Sequence, residues 1–493
     1  MKNTSVFHGG VKLQPQKVPV SLPTARLAEQ PRYDVPLTTR GGHYSEPHTE
    51  VGAYVLGGQL IAGGRSKVGV HAPTSGTVES IHTDEGDTRI VIRADGLQQH
   101  IAKRSAIACE EATLDMLREA GLTGMGGAGF PTADKLQAAL NGAPKLLIVN
   151  AVECEPMISC DAQLIAEDAK TLLYGADWLR RFVGAELCKI VVEDHNPASV
   201  EYLKAAQHEM TYSGLSISSV PTRYPAGSER QLVHAITGKE LVAGARPLDN
   251  GVLVQNTATV HALARWVQDG TPLTERLVTV TGDACSQPQT LWCPIGAPLS
   301  ALLEHTGVSV GTTELFQGGP VMGIALKDSS GAVAKHTQCL RIEHQSAPLN
   351  TLACIRCGLC SDACPEHLLP QQLHWQLLGD NLPGAQAERL PHCILCGCCD
   401  LVCPSNIPLS QQFAEGKAAL RLRQHTEQRA AKAKRRVDAR NVRMEILAKE
   451  KQERLAKRKA GTKKTDKQKA VAEAMARSRA KKEASDKANK END

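Results

Sequence analysis

Long apolar runs are missing from this 493-residue chain, although 42% of its residues are hydrophobic. A helix that spans a bilayer needs about 18 or more mostly apolar residues in a row, and no stretch approaches that length. The first ten residues also lack the apolar region of a secretory signal. We therefore expect no membrane span, and we expect the 16 cysteines to lie in a reducing compartment.

Two copies of one cysteine spacing stand close together late in the chain. Each has the form C-x2-C-x2-C-x3-C-P, first at 354–365 and again at 393–404. This is the bacterial ferredoxin run, in which three thiolates bind one [4Fe–4S] cluster and the fourth binds the neighbouring cluster. Since such clusters move single electrons, the runs predict electron transfer. The predicted ligands are Cys354, Cys357, Cys360 and Cys403 for the first cluster, and Cys393, Cys396, Cys399 and Cys364 for the second.

Zinc and disulfides are the alternative uses of such cysteines. Structural zinc sites usually take cysteines in pairs, and a disulfide scaffold suits a small secreted chain rather than one of 493 residues. Cys398 lies between two predicted ligands and has no place in the pattern. The cysteines outside the two runs are scattered between 109 and 339, so we expect ordinary buried or free thiols there.

Changes of composition and hydrophobic pattern along the chain predict several domains. Residues 1–105 begin as proline-bearing coil and continue as short β-branched strands between glycine turns, which is typical of a small sandwich or barrel. Within them, residues 71–78 resemble part of a biotinyl- or lipoyl-like barrel, without an evident carrier lysine. In residues 106–272 strands alternate with helices, which predicts an α/β domain with a parallel sheet.

The remaining chain predicts two further modules and a tail. Residues 273–340 favour strands with one short helix at 299–305, and residues 341–412 carry the cysteine runs on short helices. Residues 413–493 hold 26 Lys and Arg against 12 Asp and Glu. Their composition predicts a solvated helix that frays into disorder. The fold class is therefore a multidomain α/β chain with added all-β modules, an acidic body and a basic tail.

A glycine-rich segment at 121–132 holds five glycines within nine residues. Gly124, Gly126 and Gly129 match G-x-G-x-x-G, but a helical segment precedes them, whereas the dinucleotide fingerprint follows a strand. The glycines still let a flat ring or a phosphate lie against the main chain. A helix that begins near Pro131 would point its first amides at an anion. A plain glycine-rich turn is the alternative.

These motifs together resemble a known family. Residues 121–135 are similar to the flavin loop of the NADH-binding flavoprotein subunit of respiratory complex I, and residues 150–156 are similar to its next flavin segment. With the two ferredoxin runs, the start at 8–10 and the lysine-rich tail, they resemble the C-subunit family of Rnf/Rsx ion-translocating oxidoreductase complexes. The resemblance covers about residues 1–412. It implies a β-grasp domain at 273–340 and a two-cluster, ferredoxin-like helical domain at 341–412.

The resemblance also implies an FMN and NADH site in residues 106–272. FMN would lie on the glycine loop, with Lys135 and Asn150 near its phosphate and ring edge, and Glu155 would bind the nicotinamide carboxamide. Residues 224–229 and 256–259 would close the site. No catalytic acid or base is implied, because hydride transfer needs none. The implied cofactor-binding residues are Gly124, Gly126, Gly127, Gly129, Phe130, Lys135, Asn150, Glu155, Gly227, Glu229, Asn256 and Thr259.

The expected function is transfer of electrons from NADH to FMN, then through the two clusters to a partner. The resemblance implies a peripheral subunit at the cytoplasmic face of the bacterial inner membrane. Its partners would be membrane-embedded subunits of the same complex and an iron–sulfur subunit. The basic tail would contact anionic lipid; nucleic acid is a rival partner that we do not expect, and a solvated helix without a partner is the remaining alternative.

Two other functions stay open at this point. One is a soluble NADH diaphorase-type subunit, which shares the flavin loop. The other is an iron–sulfur adaptor with a degenerate flavin site. Met125 and Val152 permit the adaptor, because they stand where the complex I subunit has an arginine and an aspartate.

Overall fold

The computed structural model describes residues 6–64, 67–84, 87–210, 212–242, 244–308, 313–345 and 350–488. The chain divides into two compact units, residues 1–416 and 417–493. Within the described ranges, no helix is both long enough and apolar enough to cross a bilayer.

The beginning of the first unit is an all-β module. The first strand of the chain, β1 (Ala25–Arg26), joins a sheet that is described below. The strands of the module itself are β2 (Arg32–Pro36), β3 (Tyr54–Val55), β4 (Leu60–Gly64), β5 (Lys67–His71), β6 (Gly76–Asp84) and β7 (Asp87–Ala94). One antiparallel sheet has the order β2–β7–β6–β3, and β4 pairs with β5 in a hairpin. Tyr33 and Val35 alternate with less buried neighbours along β2. This period of two buries one face of the sheet, as the strand pattern predicted.

A parallel sheet forms the core of the next region. Its elements are α1 (Leu114–Glu119), α2 (Thr132–Gly142), β8 (Leu146–Ala151), α3 (Cys160–Phe182), β9 (Leu187–Glu193), α4 (Pro197–Glu209), β10 (Leu215–Val220), α5 (Glu229–Thr237), β11 (Val252–Asn256) and α6 (Thr257–Asp269). The strand order is β10–β9–β8–β11, and every pair is parallel. The prediction of an α/β domain with a parallel sheet is confirmed.

Both faces of this sheet are covered, which explains the unbroken apolar run in β8. Leu147 packs in one core cluster with Leu172 of α3. Ile148 packs in another cluster with Leu232 of α5. The carboxyl ends of parallel strands meet at one edge of such a sheet, where ligands bind. The segments that follow β8, β10 and β11 therefore share that edge.

A six-stranded mixed sheet follows. It contains β1 and five later strands, β12 (Glu275–Thr281), β13 (Gln289–Pro294), β14 (Thr313–Gln317), β15 (Ile324–Leu326) and β16 (Cys339–His344), and α7 (Leu299–His305) lies between β13 and β14 in the chain. Its order is β1–β13–β12–β16–β14–β15. The predicted domain boundary at 340 falls inside β16, which pairs with both β12 and β14 and so belongs wholly to this sheet. The N-terminal coil is also more than a surface wrap, because β1 pairs with β13.

Short helices carry the cysteine runs, and a long helix follows them. These helices are α8 (Leu359–Asp362), α9 (Pro370–Leu378), α10 (Leu382–Ala387), α11 (Cys398–Leu401) and α12 (Leu409–Ala488). The predicted boundary at 413 lies inside α12. Described side chains from 421 onward are exposed, as expected for a helix rich in Lys, Arg and Glu.

Candidate cofactor sites

The glycine-rich segment forms a closed loop between α1 and α2. The Gly124 N–H donates to the Phe130 carbonyl (2.8 Å), and the Gly129 N–H donates to the Gly124 carbonyl (3.0 Å). Gly127 and Gly129 have φ values of +101° and +66°, which favour glycine. Gly126 and Phe130 are exposed, so the loop presents bare main chain at the surface. The helix predicted from Pro131 begins next to it, at Thr132.

Thr259 and Asn256, both predicted cofactor residues, lie directly against this loop. The Thr259 hydroxyl donates to the Thr123 carbonyl (3.1 Å) and accepts from the Met125 N–H (2.9 Å). A Cβ atom on Gly126 would lie 3.4 Å from the Asn256 side chain. The start of α6 therefore supports the loop at the carboxyl end of β11.

Four more predicted residues meet in pairs. The Asn150 amide donates to the Gly227 carbonyl (2.9 Å), and its oxygen accepts from the Val152 N–H (3.0 Å). Lys135 of α2 forms an ion pair with Glu229 at the start of α5. The structure thus brings the segments after β8 and β10 together and links the second of them to the helix that follows the glycine loop.

Glu155, predicted to bind nicotinamide, contacts the mixed sheet. Its Oε1 accepts from the main-chain N–H groups of Val321 (2.9 Å) and Met322 (2.7 Å), in the turn after β14. Burial raises the pKa of this carboxyl, and these two N–H donors oppose the rise. A Cβ on Gly319 would lie 2.6 Å from Glu155 Cγ, so the turn needs glycine there. Glu155 therefore ties the β8 segment to the mixed sheet, and its role toward nicotinamide stays a prediction.

Lys17 holds the same segment from the other side, and sequence reasoning missed it. Its ammonium donates to the carbonyls of Glu153 (2.6 Å), Ile158 (2.7 Å) and Glu155 (3.0 Å). The Glu153 carboxylate in turn accepts from the N–H groups of Asp161 (2.8 Å) and Ala162 (3.2 Å) at the start of α3. Lys17 and Glu153 are 136 residues apart, and no local pattern relates them.

Two arginines that sequence reasoning also missed support the glycine loop. Arg276 of β12 is only 1% exposed, and it donates to the carbonyls of Met125 (3.4 Å), Leu277 (3.0 Å) and Lys335. Arg40 donates to the Gly127 carbonyl (3.1 Å). Since guanidinium groups carry several fixed donors and no acceptor, both suit carbonyl-rich turns.

The carboxyl edge of the sheet also collects buried acids. Burial raises the pKa of Glu193, at the end of β9, to about 7, against the opposing charge of Lys17. Burial likewise raises the pKa values of Glu153 and Asp161. Lys17 is the positive charge that most lowers the pKa values of Glu153 and Glu193, whereas Arg276 has the larger such effect on Asp161.

Each predicted group of four cysteines surrounds one cavity. The first cavity has about 400 Å³ of space and is lined by Cys354, Cys357, Cys360 and Cys403. The second has about 370 Å³ and is lined by Cys364, Cys393, Cys396 and Cys399, with Cys398 beside them. All 16 cysteines are free thiols, so none is used in a disulfide. That the groups bind clusters stays a prediction.

The two runs repeat one backbone conformation. Arg356 and Leu395 precede the second cysteine of their runs, with φ values of +58° and +56°. Gly358 and Gly397 follow that cysteine, with φ values of +84° and +72°. This repeated turn of the backbone directs successive thiols toward the same cavity. Among the described residues, no group of three or more His, Cys, Asp or Glu side chains is placed to hold a single metal ion.

The sulfur atoms lie in surroundings that suit thiolate ligands. The N–H of Leu368 donates to the Cys364 sulfur, and the N–H of Leu395 donates to the Cys393 sulfur, both at 3.4 Å. A hydrogen bond from the Cys398 thiol lowers the pKa of Cys396. Four soft sulfur donors around a hollow fit an iron–sulfur cubane, whose potential such hydrogen bonds tune.

Three protein families match successive parts of the chain. They are described as the RnfC barrel sandwich hybrid domain (residues 5–96), the Nuo51 FMN-binding domain (residues 117–265) and the 4Fe-4S binding domain (residues 347–368). The chain is thus a multidomain protein of mixed α/β structure, with a barrel-sandwich N-terminus, an FMN-binding domain and a 4Fe-4S binding region. These matches define the class of flavin- and iron–sulfur-binding electron-transfer proteins.

Curated relatives identify the family within that class. The C-subunit of the ion-translocating oxidoreductase complex from Cronobacter sakazakii is 40% identical over 458 residues, which are 89% of this chain and 58% of that protein. Its namesake from Salmonella arizonae is 38% identical over 470 residues, which are 92% of this chain and 69% of that protein. The chain belongs to this C-subunit family of ion-translocating oxidoreductase complexes, and the resemblance stated from its motifs is confirmed. It spans somewhat over half of the Cronobacter protein's length.

A solved structure is similar to part of the chain. A chain in the crystal structure of NAD+-reducing [NiFe]-hydrogenase in the air-oxidised state is 18% identical and covers 58% of this chain and 55% of its own length, with a TM-score of 0.45.

Proposed function

We propose that this chain passes electrons between NADH and the other subunits of an ion-translocating oxidoreductase. NADH, FMN and two [4Fe–4S] clusters supply the redox chemistry, since a flavin accepts a hydride and the clusters carry single electrons. The protein binds these groups and fixes their separation. The observation that carries the proposal is a direct link between the two kinds of site. The Tyr224 hydroxyl, in the segment 224–229 that is predicted to close the flavin site, donates to the Cys396 carbonyl at 2.6 Å.

The glycine loop and the carboxyl edge of the parallel sheet form the FMN and NADH site in this proposal. A Cβ on Gly127 would meet only Gln338 and Arg40 atoms at 3.5 Å or more, and one on Gly124 would meet nothing closer than 3.7 Å. The absence of side chains there keeps a flat strip of main chain open. Lys135 lies on the first turns of α2, where the helix end also favours a phosphate.

The proposal also assigns a residue range to each domain. We assign residues 1–105 to the coil and barrel-sandwich module, 106–272 to the FMN and NADH domain, and the mixed sheet through residue 344 to a β-grasp domain. Residues 350–409 become the two-cluster, ferredoxin-like domain. Glu155 joins the FMN domain to the mixed sheet through the turn after β14.

Membrane-embedded subunits of the same complex and an iron–sulfur subunit are the proposed partners, at the cytoplasmic face of the inner membrane. The tail adds a contact with anionic lipid, because 413–493 carries 26 basic against 12 acidic residues. Each nearby Lys or Arg contributes about 1 kcal/mol to such binding. Co-sedimentation with anionic and neutral vesicles tests it: tail deletion removes the difference between them, and a deletion protein that keeps the difference contradicts the lipid contact.

One experiment tests the FMN and NADH site with a matched pair of variants. Protein is purified without oxygen, and FMN, iron and acid-labile sulfide are measured before titration with NADH. In Gly126→Ala the new methyl group lies between the loop and Asn256, in van der Waals contact with that side chain at 3.4 Å. It obstructs a ring that lies there, so FMN content falls about tenfold, the effect of a clash worth roughly 1.4 kcal/mol. Iron content stays unchanged.

Gly142→Ala is the control, because its Cβ meets nothing within 4 Å. It keeps FMN, iron and the bleaching of cluster absorbance by NADH. Wild-type protein that holds iron but neither binds flavin nor responds to NADH would contradict the proposal and support the iron–sulfur adaptor. Full activity in a soluble fraction without membrane partners would instead support the diaphorase-type subunit.

A further inference from the structure

We propose that the segment His8-Gly9-Gly10 is a positioning element that holds the second cysteine group against the FMN and NADH domain. That group, lined by Cys364, Cys393, Cys396 and Cys399, is then the one next to the flavin, and the first group faces the partner subunit. This inference rests on the proposed function. It assigns a physical role to a motif that otherwise serves only as a family marker.

The segment is hydrogen-bonded to both parts at once. The Gly10 N–H donates to the carbonyl of Ala363, the residue before Cys364 (2.9 Å). The Val11 N–H donates to the Tyr224 carbonyl (2.8 Å), and the Tyr224 N–H donates back to the Val11 carbonyl (2.9 Å). Two successive residues thus join the cysteine loop to the segment after β10.

Only glycine fits at positions 9 and 10 of the chain. Gly9 has a φ of +67°, and its Cβ would lie 2.7 Å from the Cys364 carbonyl carbon. Gly10 has a φ of +73°, and its Cβ would lie 2.5 Å from the Tyr224 oxygen. Ordinary van der Waals contact begins at 3.4 Å. Any side chain would therefore push the cysteine loop and the Tyr224 segment apart by most of an ångström.

The segment is fixed at both of its ends. Before it, the Phe7 ring is only 6% exposed and packs in the core cluster that contains Val152 and Val220. After it, Lys17 is held by the carbonyls of the β8 segment. His8 stacks on His367, with ring centroids 4.2 Å apart. A segment that is fixed at each end and hydrogen-bonded in the middle can hold the two parts in one relative position.

Further contacts bind the second cysteine group to the same domain. Arg230 Nε donates to both carboxylate oxygens of Glu366 at 3.0 Å, and the Gln231 amide donates to Glu366 Oε1 at 2.8 Å. Glu366 stands two residues after Cys364. Tyr224 packs in one apolar cluster with Cys396. The second group is therefore anchored by α5 as well as by the glycine segment.

The first cysteine group has different surroundings. Both cavities are lined by residues between 354 and 413, so the two groups differ in exposure rather than in lining. Cys357 is exposed, and the apolar side chains of Ile355 and Leu352 are 68% and 61% exposed. In the second group, by contrast, Cys364 and Cys396 are buried. An exposed thiol beside exposed apolar side chains fits the docking of another redox protein, which must bring its own centre close.

The first test uses Gly9→Ala and Gly10→Ala, with Gly96→Ala as the control. Gly96 has a φ of +75°, so alanine is strained there too, but its Cβ would meet nothing within 4 Å. Reduced absorbance of the clusters after mixing with NADH is followed by stopped flow, and NADH–ferricyanide reduction reports the flavin site alone. Bleaching slows by about tenfold or more in the glycine variants, because misplacement on the order of 1 Å costs that much when position governs a rate. In Gly9→Ala, whose Cβ meets Ala363 and Cys364 and not the Tyr224 segment, ferricyanide reduction, FMN and iron are unchanged, and the control behaves as wild type.

The second test decides the order of the two groups without the glycine variants. Cys360→Ser and Cys399→Ser each disable one group, and electron paramagnetic resonance records the cluster that remains. We expect NADH to reduce the remaining cluster in Cys360→Ser. In Cys399→Ser we expect reduction by dithionite but not by NADH.

The reverse pattern would overturn the placement of the second group next to the flavin. Wild-type bleaching in both glycine variants, or equal slowing in Gly96→Ala, would overturn the positioning role. Neither result bears on the proposed function, which is tested by the response of the wild-type clusters to NADH and by the need for membrane partners. The two ideas can thus fail separately.

Discussion

Replacing Lys17 with methionine is expected to loosen the segment after β8 without unfolding the protein. The ammonium donates three hydrogen bonds, to the carbonyls of Glu153, Glu155 and Ile158 at 2.6–3.0 Å. Methionine keeps most of the apolar stem and removes all three donors and the charge. The segment then loses its attachment to the N-terminal residues.

The size of the effect follows from these contacts. Hydrogen bonds to charged groups contribute roughly 1.5–3 kcal/mol each. Lys17 is half-buried, so solvent replaces part of what is lost, and side-chain entropy is regained. We therefore expect a cost of about 3 kcal/mol to the local opening free energy, well below the sum of three such hydrogen bonds.

Hydrogen exchange measures this quantity at the right place. The Met157 N–H donates to the Pro15 carbonyl at 2.9 Å, two residues from Lys17, so its protection reports the attachment directly. A loss of about 3 kcal/mol corresponds to exchange roughly 100-fold faster. FMN content falls as well, because the same segment borders the flavin site. A local measurement is preferable since a chain of several domains does not unfold in two states.

Lys12→Met is the matched control, because Lys12 lies on the same segment and is exposed. It should leave both the exchange of Met157 and the FMN content unchanged. If Lys17→Met exchanged at the wild-type rate, the three carbonyl contacts would have no energetic weight, and the account of how this segment is held would be wrong.

Two further variants test the buried acid and the unassigned cysteine. The pKa of Glu193 is about 7 in the folded protein, above its unfolded value of about 4.3, so its contribution to stability is present at low pH and is lost as pH rises through about 7. Glu193→Gln should remove that decline and stabilise the region around β9 at pH 8 by about 3 kcal/mol, measured as hydrogen exchange of the β9 amides that is slower than in wild type at pH 8 but not at pH 5. Cys398→Ala should keep the iron and acid-labile sulfide of wild type, whereas Cys399→Ala loses one cluster; a loss of iron in Cys398→Ala would make Cys398 a ligand.

Local patterns predicted the elements that depend on local chemistry. The helix expected at 299–305 has those bounds. The parallel sheet followed from buried apolar strands alternating with helices. The glycine loop and the two cysteine runs were found because glycine and closely spaced cysteines have few other uses. Spacing alone also predicted which thiols share a cavity.

What the sequence could not predict depends on contacts between distant segments. Glu155 was predicted to bind nicotinamide, and its contact with a turn 166 residues further along the chain left no signal in the sequence. Arg276 gave no signal at all, because a single arginine in a strand does not show which carbonyls it will meet. The predicted end of the β-grasp region at 340 was misplaced for the same reason, since β16 is defined by its partners β12 and β14 rather than by a turn.

The N-terminal residues show this limit most clearly. Residues 6–18 have neither the period of a helix nor that of a strand, so they were predicted to be surface coil. Their partners are main-chain groups of remote segments, such as the Ala363 and Tyr224 carbonyls, and main-chain partners leave no trace in side-chain patterns. The adjacent glycines are the exception, because they record a close approach as a missing side chain. A glycine pair outside any turn or loop motif is therefore a reason to look for a second chain segment packed against it.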